Sequence, residues 1–449
     1  MPHPDAPHAA PRDPPHDPPH DAPYDALETR APADRERALM QALALQVAHA
    51  QRASVAQAAR LHGIDPARVD SRAALARLPV LRKHELVEAQ KAARAAGGDP
   101  FAGYAAITTA TARQVFQSPG PLYEPAGRHD DGARMARALH AAGLRPGDLV
   151  HNSYSYHLTP AGAMMEAGAH ALGCAVFPGG VGNTELQLQA IADLRPRGYV
   201  GTPSFLKILV EKASELGTDI GSLRVALVSG EACPAPLRQW FADRGLAVSQ
   251  CYATADLGLI AYETASRDGL VVDEGVIVEI VRPGTGEPVP DAVAGQPPEV
   301  GEVVVTTLNP DYPLIRFGTG DLSAVLPGPC PTGRTNLRLR GWLGRADQVT
   351  KVRGMFVHPG QVTQALRGFP GVRRARLVVG GELGVDTVTL HVEPDAALVA
   401  GHAGGSSGWS DDIARALREA TRLRCEVTLE PPGSLPEDGR LIEDRRTPG

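Results

Sequence analysis

The sequence has no CxxC pair and no cysteine cluster. Its five cysteines, at 174, 233, 251, 330 and 425, are scattered and odd in number. That pattern argues against a disulfide framework and for reduced core thiols in a reducing compartment. No run of about 18 apolar residues occurs, so no membrane-spanning helix is expected. A basic-then-apolar secretory leader is also missing, and the expected location is cytoplasmic. Lys and Arg nowhere interleave with aromatics in a block, which excludes an evident nucleic-acid surface. The formal net charge is -6. No internal repeat is found.

What is present fits an ordinary globular chain. With 449 residues and 43% hydrophobic content, it holds two or three domains, each large enough to bury a core. Residues 1–23 carry nine Pro, four His and four Asp. They offer almost nothing to bury, and we expect a disordered tail. From 34 to 62 an Ala/Leu-rich helical period runs to a Gly. Strand-like and helical segments then alternate from "DLVHNSYSYHL" to "AVSQCYATADLG", which predicts parallel βαβ units with helices on both faces. From about 270, "LVVDEGVIVEIVRPGTGEPV" and "VGEVVVTTLNP" predict antiparallel strands. After "GRADQVTKVRG", helix and strand alternate again in a compact α+β pattern, with "AGHAGGSSGWS" as a flexible loop. The expected fold class is α/β. It has a large N-terminal domain (24–345) of mostly parallel βαβ layers plus a β-rich subdomain, and a small mobile α+β C-terminal domain (346–449).

The chemistry starts at "DYPLIRFGTGDL" (311–322). A carboxylate in a Gly-flanked turn can accept two hydroxyl hydrogen bonds, and a vicinal diol such as ribose is its natural partner. Gly320-Asp321 alone reads as a turn. It gains weight because "GWLGRADQVTKVRG" follows, with Arg345 and Asp347 at a predicted domain junction.

With these motifs together, the chain resembles the adenylate-forming (AMP-binding) superfamily, in its phenylacetate–CoA ligase-like branch. "YDALETRAPADRERAL" (24–39) is similar to the branch's opening. "GNTELQLQAIADLRP" and "GTPSFLKIL" are similar to its centre. "VSGEACPAPLRQW" and "CYATADLGLIAYE" are similar to its adenine site, and "GRADQVTKVRGMFVHPGQV" to its hinge. The resemblance spans roughly 24–446. It implies activation of an aromatic or related small carboxylic acid by ATP, through an acyl-adenylate, followed by transfer to CoA. Positioning and charge stabilisation carry such chemistry, with a small domain that rotates between the steps. The implied cofactors are ATP/AMP, Mg²⁺ and CoA, and a homodimer is expected, as in many relatives.

The resemblance assigns residues as follows. Gly230, Glu231, Tyr252, Ala253 and Thr254 line the adenine end. Asp321 holds the ribose hydroxyls, and Arg345 reaches ribose or phosphate. Asp347 is the hinge, Arg353 and Gly354 belong to the CoA face, and Tyr154, Tyr156 and His157 fall in the acyl-pocket region. Neither Cys nor His follows the Tyr motif at the spacing of a structural zinc site.

Three positions depart from the pattern. The Tyr-Gly-x-Thr/Ser-Glu motif reads Tyr252-Ala253-Thr254-Ala255-Asp256, so Mg²⁺ would meet Asp256. The triphosphate loop reads Ser118-Pro119-Gly120-Pro121-Leu122-Tyr123-Glu124-Pro125. Ser118 and Gly120 remain as phosphate contacts, while Glu124 is expected to repel a triphosphate. The C-terminal catalytic lysine is replaced by Arg440, with Arg445 and Arg446 nearby. These departures keep two other readings open: an enzyme that handles acyl-adenylate or acyl-CoA without the full triphosphate, and a non-catalytic nucleotide-binding protein.

Overall fold

The computed structural model describes residues 22–118, 121–348, 350–352, 355–382, 385–395, 407–438 and 440–446. The tail expectation for 1–23 lies outside them except at Ala22 and Pro23. The strands in chain order begin with β1 (Leu81–Arg82), β2 (Gln114–Ser118), β3 (Leu122–Ala126), β4 (Leu149–Asn152), β5 (Ala175–Pro178), β6 (Gly198–Gly201), β7 (Val225–Val228) and β8 (Ala247–Thr254). Next come β9 (Gly258–Glu263), β10 (Leu270–Val272), β11 (Val276–Val281), β12 (Gly301–Thr307), β13 (Phe317–Ser323), β14 (Val325–Leu326) and β15 (Arg338–Leu339).

The central sheet has nine strands in the order β14-β15-β10-β9-β8-β7-β6-β4-β5. Strands β4 to β8 pair in parallel. The sequences of β6, "GYVG", and β7, "VALV", are buried at every position. That is the signature of strands covered on both faces. The helices Ala161–Ala171, Thr184–Leu194, Pro203–Leu216 and Ala235–Ala242 alternate with these strands, as the βαβ rhythm predicts. Beyond β8 the pairing turns antiparallel. A second sheet, β1-β13-β12-β11, is antiparallel apart from the β1–β13 edge. The switch begins at Gly258, about a dozen residues before the texture change near 270.

After 345 come β16 (Thr350–Val352), β17 (Met355–Val357), β18 (Val372–Glu382), β19 (Val385–Pro394), β20 (Glu426–Leu429) and β21 (Ile442–Asp444), with helices Pro359–Leu366 and Ser407–Thr421. The sheet order is β20-β19-β18-β21. Its apolar residues, among them Val362, Leu377, Leu390, Ile413 and Leu417, form their own cluster within 352–442.

The segment that opens the motif series has a structural job. Glu28 is buried and accepts from Arg137 Nη1 at 2.9 Å, Arg334 Nε at 2.7 Å and Tyr262 Oη at 2.9 Å. Arg35 donates to Glu274 at 3.0 Å from the following helix, Pro32–Ala53. These pairs tie residues 25–35 to both sheets. A buried charge keeps its place only when paired and hydrogen-bonded, and each of these has several partners. All five cysteines are free thiols. No described helix is long and apolar enough to cross a membrane.

Candidate active site

Seven of the expected residues lie at the carboxyl ends of β7 and β8 and around the end of β13. In an open α/β sheet this is where ligands bind. Gly230 follows β7 with φ +82 and, with Glu231, lies exposed. Glu231 Oε2 accepts from Ser204 N at 3.3 Å. Tyr252, Ala253 and Thr254 are the last three residues of β8.

Asp321 is the hub. Its Oδ2 accepts from Tyr252 Oη at 2.9 Å, and its Oδ1 from Arg345 Nη1 and Trp342 Nε1, each at 3.1 Å. Gly320 makes this geometry possible. It sits at φ +72, and a Cβ there would stand 2.6 Å from Arg345 Nη2. Burial and the adjacent Asp321 charge push the Tyr252 hydroxyl well above its ordinary pKa, so it stays a donor. Sequence reasoning assigned Asp321, Tyr252 and Arg345. It missed Trp342, whose indole carried no motif signal.

A second cluster replaces the expected phosphate loop. Strands β2 and β3 form a hairpin in which Ser118 pairs with Leu122, leaving only residues 119–121 between them. Gly120 lies outside the described residues. Glu124 therefore lies within β3 and not on a loop, and its side chain turns inward, 2% exposed. Its Oε1 accepts from Ser118 Oγ at 2.8 Å. Asp256 Oδ2 accepts from Lys83 Nζ at 3.0 Å, and the same ammonium stands 3.5 Å from Ser118 Oγ. Lys83 is the first residue of the helix Lys83–Ala95.

The remaining oxygens, Glu124 Oε2 and Asp256 Oδ1, are buried without any other partner. Burial first, and then the neighbouring Asp256, push the Glu124 carboxyl up to about 9. A proton kept on Glu124 and shared with Asp256 satisfies both oxygens. With Lys83 positive, Asp256 negative and Glu124 protonated, the cluster as a whole is neutral. This corrects the expectation that Glu124 repels a triphosphate: its side chain is buried and held protonated.

Asp256, expected to meet Mg²⁺, stands in this cluster. One of its oxygens is taken by an ammonium, the other is walled in beside Glu124, and no group of three metal-binding acids, His or Cys occurs among the described residues. The donor set does not fit a resident divalent ion.

The proton on Glu124 has a measurable sign. Its folded pKa is raised above the ordinary 4.5. The folded state therefore binds the extra proton, and the associated stability is lost as pH climbs from about 4.5 toward the folded value. Glu124→Gln keeps a neutral donor and acceptor in the same place. Between pH 6 and pH 8 the wild type is expected to lose ~2 kcal/mol relative to Glu124→Gln, read from urea midpoints at each pH. Parallel pH profiles for the two proteins would rule out the shared proton.

Beside this cluster lies a cavity of about 150 Å³, lined by Phe116, Glu124, Met164, Glu166, Asp256 and Tyr312 among others. The three residues expected in the acyl-pocket region stand outside this lining. Tyr154 packs in the core and donates to the Ser229 carbonyl at 3.0 Å, Tyr156 donates to Glu166 at 2.7 Å, and His157 is exposed. The turn after β4 buries the first ring and turns the last outward, while Phe116 and Met164 line the cavity.

Among the C-terminal residues, Asp347 lies in the short turn Ala346–Gln348. Arg353 and Gly354 lie outside the described residues. Arg440 is exposed beside Arg374 and Arg376. The next residue, Leu441, donates its N–H to Gln348 Oε1 at 2.9 Å, so Arg440 is anchored close to the hinge turn. Arg445 pairs with Glu443, and Arg446 with Asp386 and Asp444. These two arginines serve the local fold.

This geometry joins a ribose-type carboxylate, an aromatic donor and an arginine at the carboxyl edge of a mostly parallel sheet, which is the arrangement of an adenylate-forming enzyme. The AMP-binding enzyme family profile matches residues 155–309. Phenylacetate-coenzyme A ligase of Thermus thermophilus is 33% identical over 333 residues, covering 68% of this chain and 73% of that one. The Escherichia coli phenylacetate-coenzyme A ligase is 32% identical over 58% of this chain and 60% of its own length. An open-conformation structure of 2-hydroxyisobutyryl-CoA ligase, in complex with 2-HIB-AMP and CoA, superposes with a TM-score of 0.80 at 26% identity and 93% coverage of both chains. The same enzyme in its thioesterification state gives 0.66. The chain belongs to the AMP-binding, adenylate-forming enzymes. Within them it falls in the phenylacetate–CoA ligase-like branch, whose activity is ATP-dependent, AMP-forming ligation of an acid to coenzyme A.

Proposed function

We propose that this chain activates a small aromatic carboxylic acid, with Asp321 as its nucleotide anchor and the 150 Å³ cavity as its acyl site. The observation that carries the reading is the Asp321 hub beside that cavity, both against the end of β8. A void of this size, partly lined by apolar side chains, suits one benzene-sized ring. The named relatives that act on phenylacetate agree in substrate class. Tyr312 lines the cavity with a buried hydroxyl that has no partner. Asp256 and Glu124 lie close enough to help burial keep that hydroxyl protonated. It is placed to donate to the acid.

In the proposed reaction the carboxylate attacks the α-phosphorus of ATP and pyrophosphate leaves. The thiol of CoA then attacks the acyl carbon and AMP leaves. Asp321 orients the ribose by two charge-assisted hydrogen bonds, and Arg345 places a positive charge near the phosphates. Tyr252 fixes Asp321 and faces the adenine. We assign a triphosphate contact to Lys83, whose ammonium stands 3.5 Å from Ser118 Oγ at the start of its helix. Mg²⁺ would arrive on the triphosphate as part of the substrate. Arg440 would complete the adenylation state after a pivot at Asp347, and the Arg353-Gly354 segment would face CoA in the other state.

The test is acid- and CoA-dependent release of AMP across a panel of benzoates, phenylacetates and short aliphatic acids. The expected result is turnover confined to single-ring aryl acids and small acids of like volume. Activity with long-chain acids and none with aryl acids would overturn the assignment of the acyl site.

A further inference from the structure

Trp342 stands where the nucleotide carboxylate meets the linker toward residue 347. Backbone pairing fixes its position. Arg340 N donates to the Ala324 carbonyl at 2.9 Å, Leu343 N to the Leu322 carbonyl at 2.9 Å, and Leu322 N to the Gly344 carbonyl at 2.8 Å. Ser323 Oγ adds a bond to the Gly341 carbonyl at 2.7 Å. The strap 340–345 thus lies along the end of β13, and the indole reaches Asp321 from it. Despite that bond the residue is 56% exposed. The other two tryptophans are packed: Trp240 against Phe241 and Arg244, Trp409 against Phe369.

Asp321 already has its oxygens engaged by Tyr252, Arg345 and Trp342. A ribose diol brings two more donors to the same two oxygens. Bidentate binding of the diol therefore requires a resident donor to leave. Tyr252 is walled into the sheet, and Arg345 is held by its charge and by a further bond to the Thr319 carbonyl at 3.3 Å. Trp342 is neutral, exposed and tied by a single bond from an N–H that can only donate. Of the three it is the one that exchanges with least loss. Once free, a large aromatic face anchored beside the ribose can pack on the nucleoside.

We propose that Trp342 is a latch on the nucleotide carboxylate: the ribose diol displaces its N–H from Asp321, and the released indole packs on the nucleoside. The inference rests on the nucleotide reading of the Asp321 hub. It adds a residue that both senses and holds the nucleotide, on the strap leading to the expected hinge.

Tryptophan emission and calorimetry test it together on the full chain. AMP is expected to change the emission of the wild type, and the change is expected to vanish in Trp342→Phe. 2′,3′-Dideoxyadenosine monophosphate, which lacks the diol, is expected to leave the emission unchanged. Trp342→Phe keeps an aromatic face without the competing N–H and is expected to bind AMP within about 2-fold of wild type. Trp342→Ala is expected to bind it ~10-fold more weakly. AMP binding with no Trp342-dependent emission change, or equal affinity in the Ala variant, overturns the latch. Failure of the wild type to bind AMP at all overturns the nucleotide reading, and the latch with it.

Discussion

Asp321→Ala is expected to weaken AMP and ATP binding by at least ~100-fold, measured by calorimetry. The carboxylate is placed to take both ribose hydroxyls, and each such bond to a charged acceptor contributes about 1.5–3 kcal/mol. Losing the pair removes roughly 3–6 kcal/mol, which is about two to four decades of affinity. The fold should survive. Arg345 and Trp342 are exposed enough to turn to water, with relative exposures of 43% for the Arg345 side chain and 56% for Trp342. Only the Tyr252 hydroxyl is left buried without its acceptor, at a cost of about 1–3 kcal/mol. A variant that stays folded and binds both nucleotides as before would remove the basis for placing ribose at Asp321.

The largest effect on stability is expected far from that site, at Glu28. Its carboxylate is 1% exposed and meets Arg137, Arg334 and Tyr262. Glu28→Ala strips a buried counter-charge from two arginines, one of them, Arg334, itself 1% exposed. Breaking a buried pair by removing one partner costs about 3–5 kcal/mol, because the other charge stays in the low-dielectric interior. In a chain this large that shifts Tm by roughly 5–10 °C. Glu28→Gln should recover part of the loss by keeping acceptors in place. A Tm for Glu28→Ala within about 1–2 °C of wild type would show that the network is not structural.

The two predictions separate what the sequence made legible from what it did not. The parallel layers were readable because β6 and β7 are short, wholly apolar and punctuated by helices of 3.6 period. Asp321 was legible because Gly320, at positive φ, forms a turn before it, and Tyr252 and Arg345 because they stand in stretches that resemble the family's motifs. The phosphate region was misread because hairpin register depends on loop length. With three residues between Ser118 and Leu122, Glu124 faces the interior, where Asp256 and Lys83 share its charge. The lining of the cavity was not legible for a similar reason. Tyr154 and His157 are three residues apart, yet one is core and the other solvent, and no periodicity marks that turn. Lys83 comes from a segment 173 residues from Asp256, and Trp342, although 21 residues from Asp321, sits in a strap whose path along β13 no motif marks. Only the folded chain brings these pairs together.

The first half-reaction of this branch forms an acyl-adenylate from ATP. Carboxylate-dependent exchange of labelled pyrophosphate into ATP, without CoA, measures that half-reaction directly. Exchange is predicted with at least one aryl acid in the wild type, with none in Asp321→Ala. No exchange with any acid, in a wild type that still binds AMP, would contradict adenylate formation by this chain.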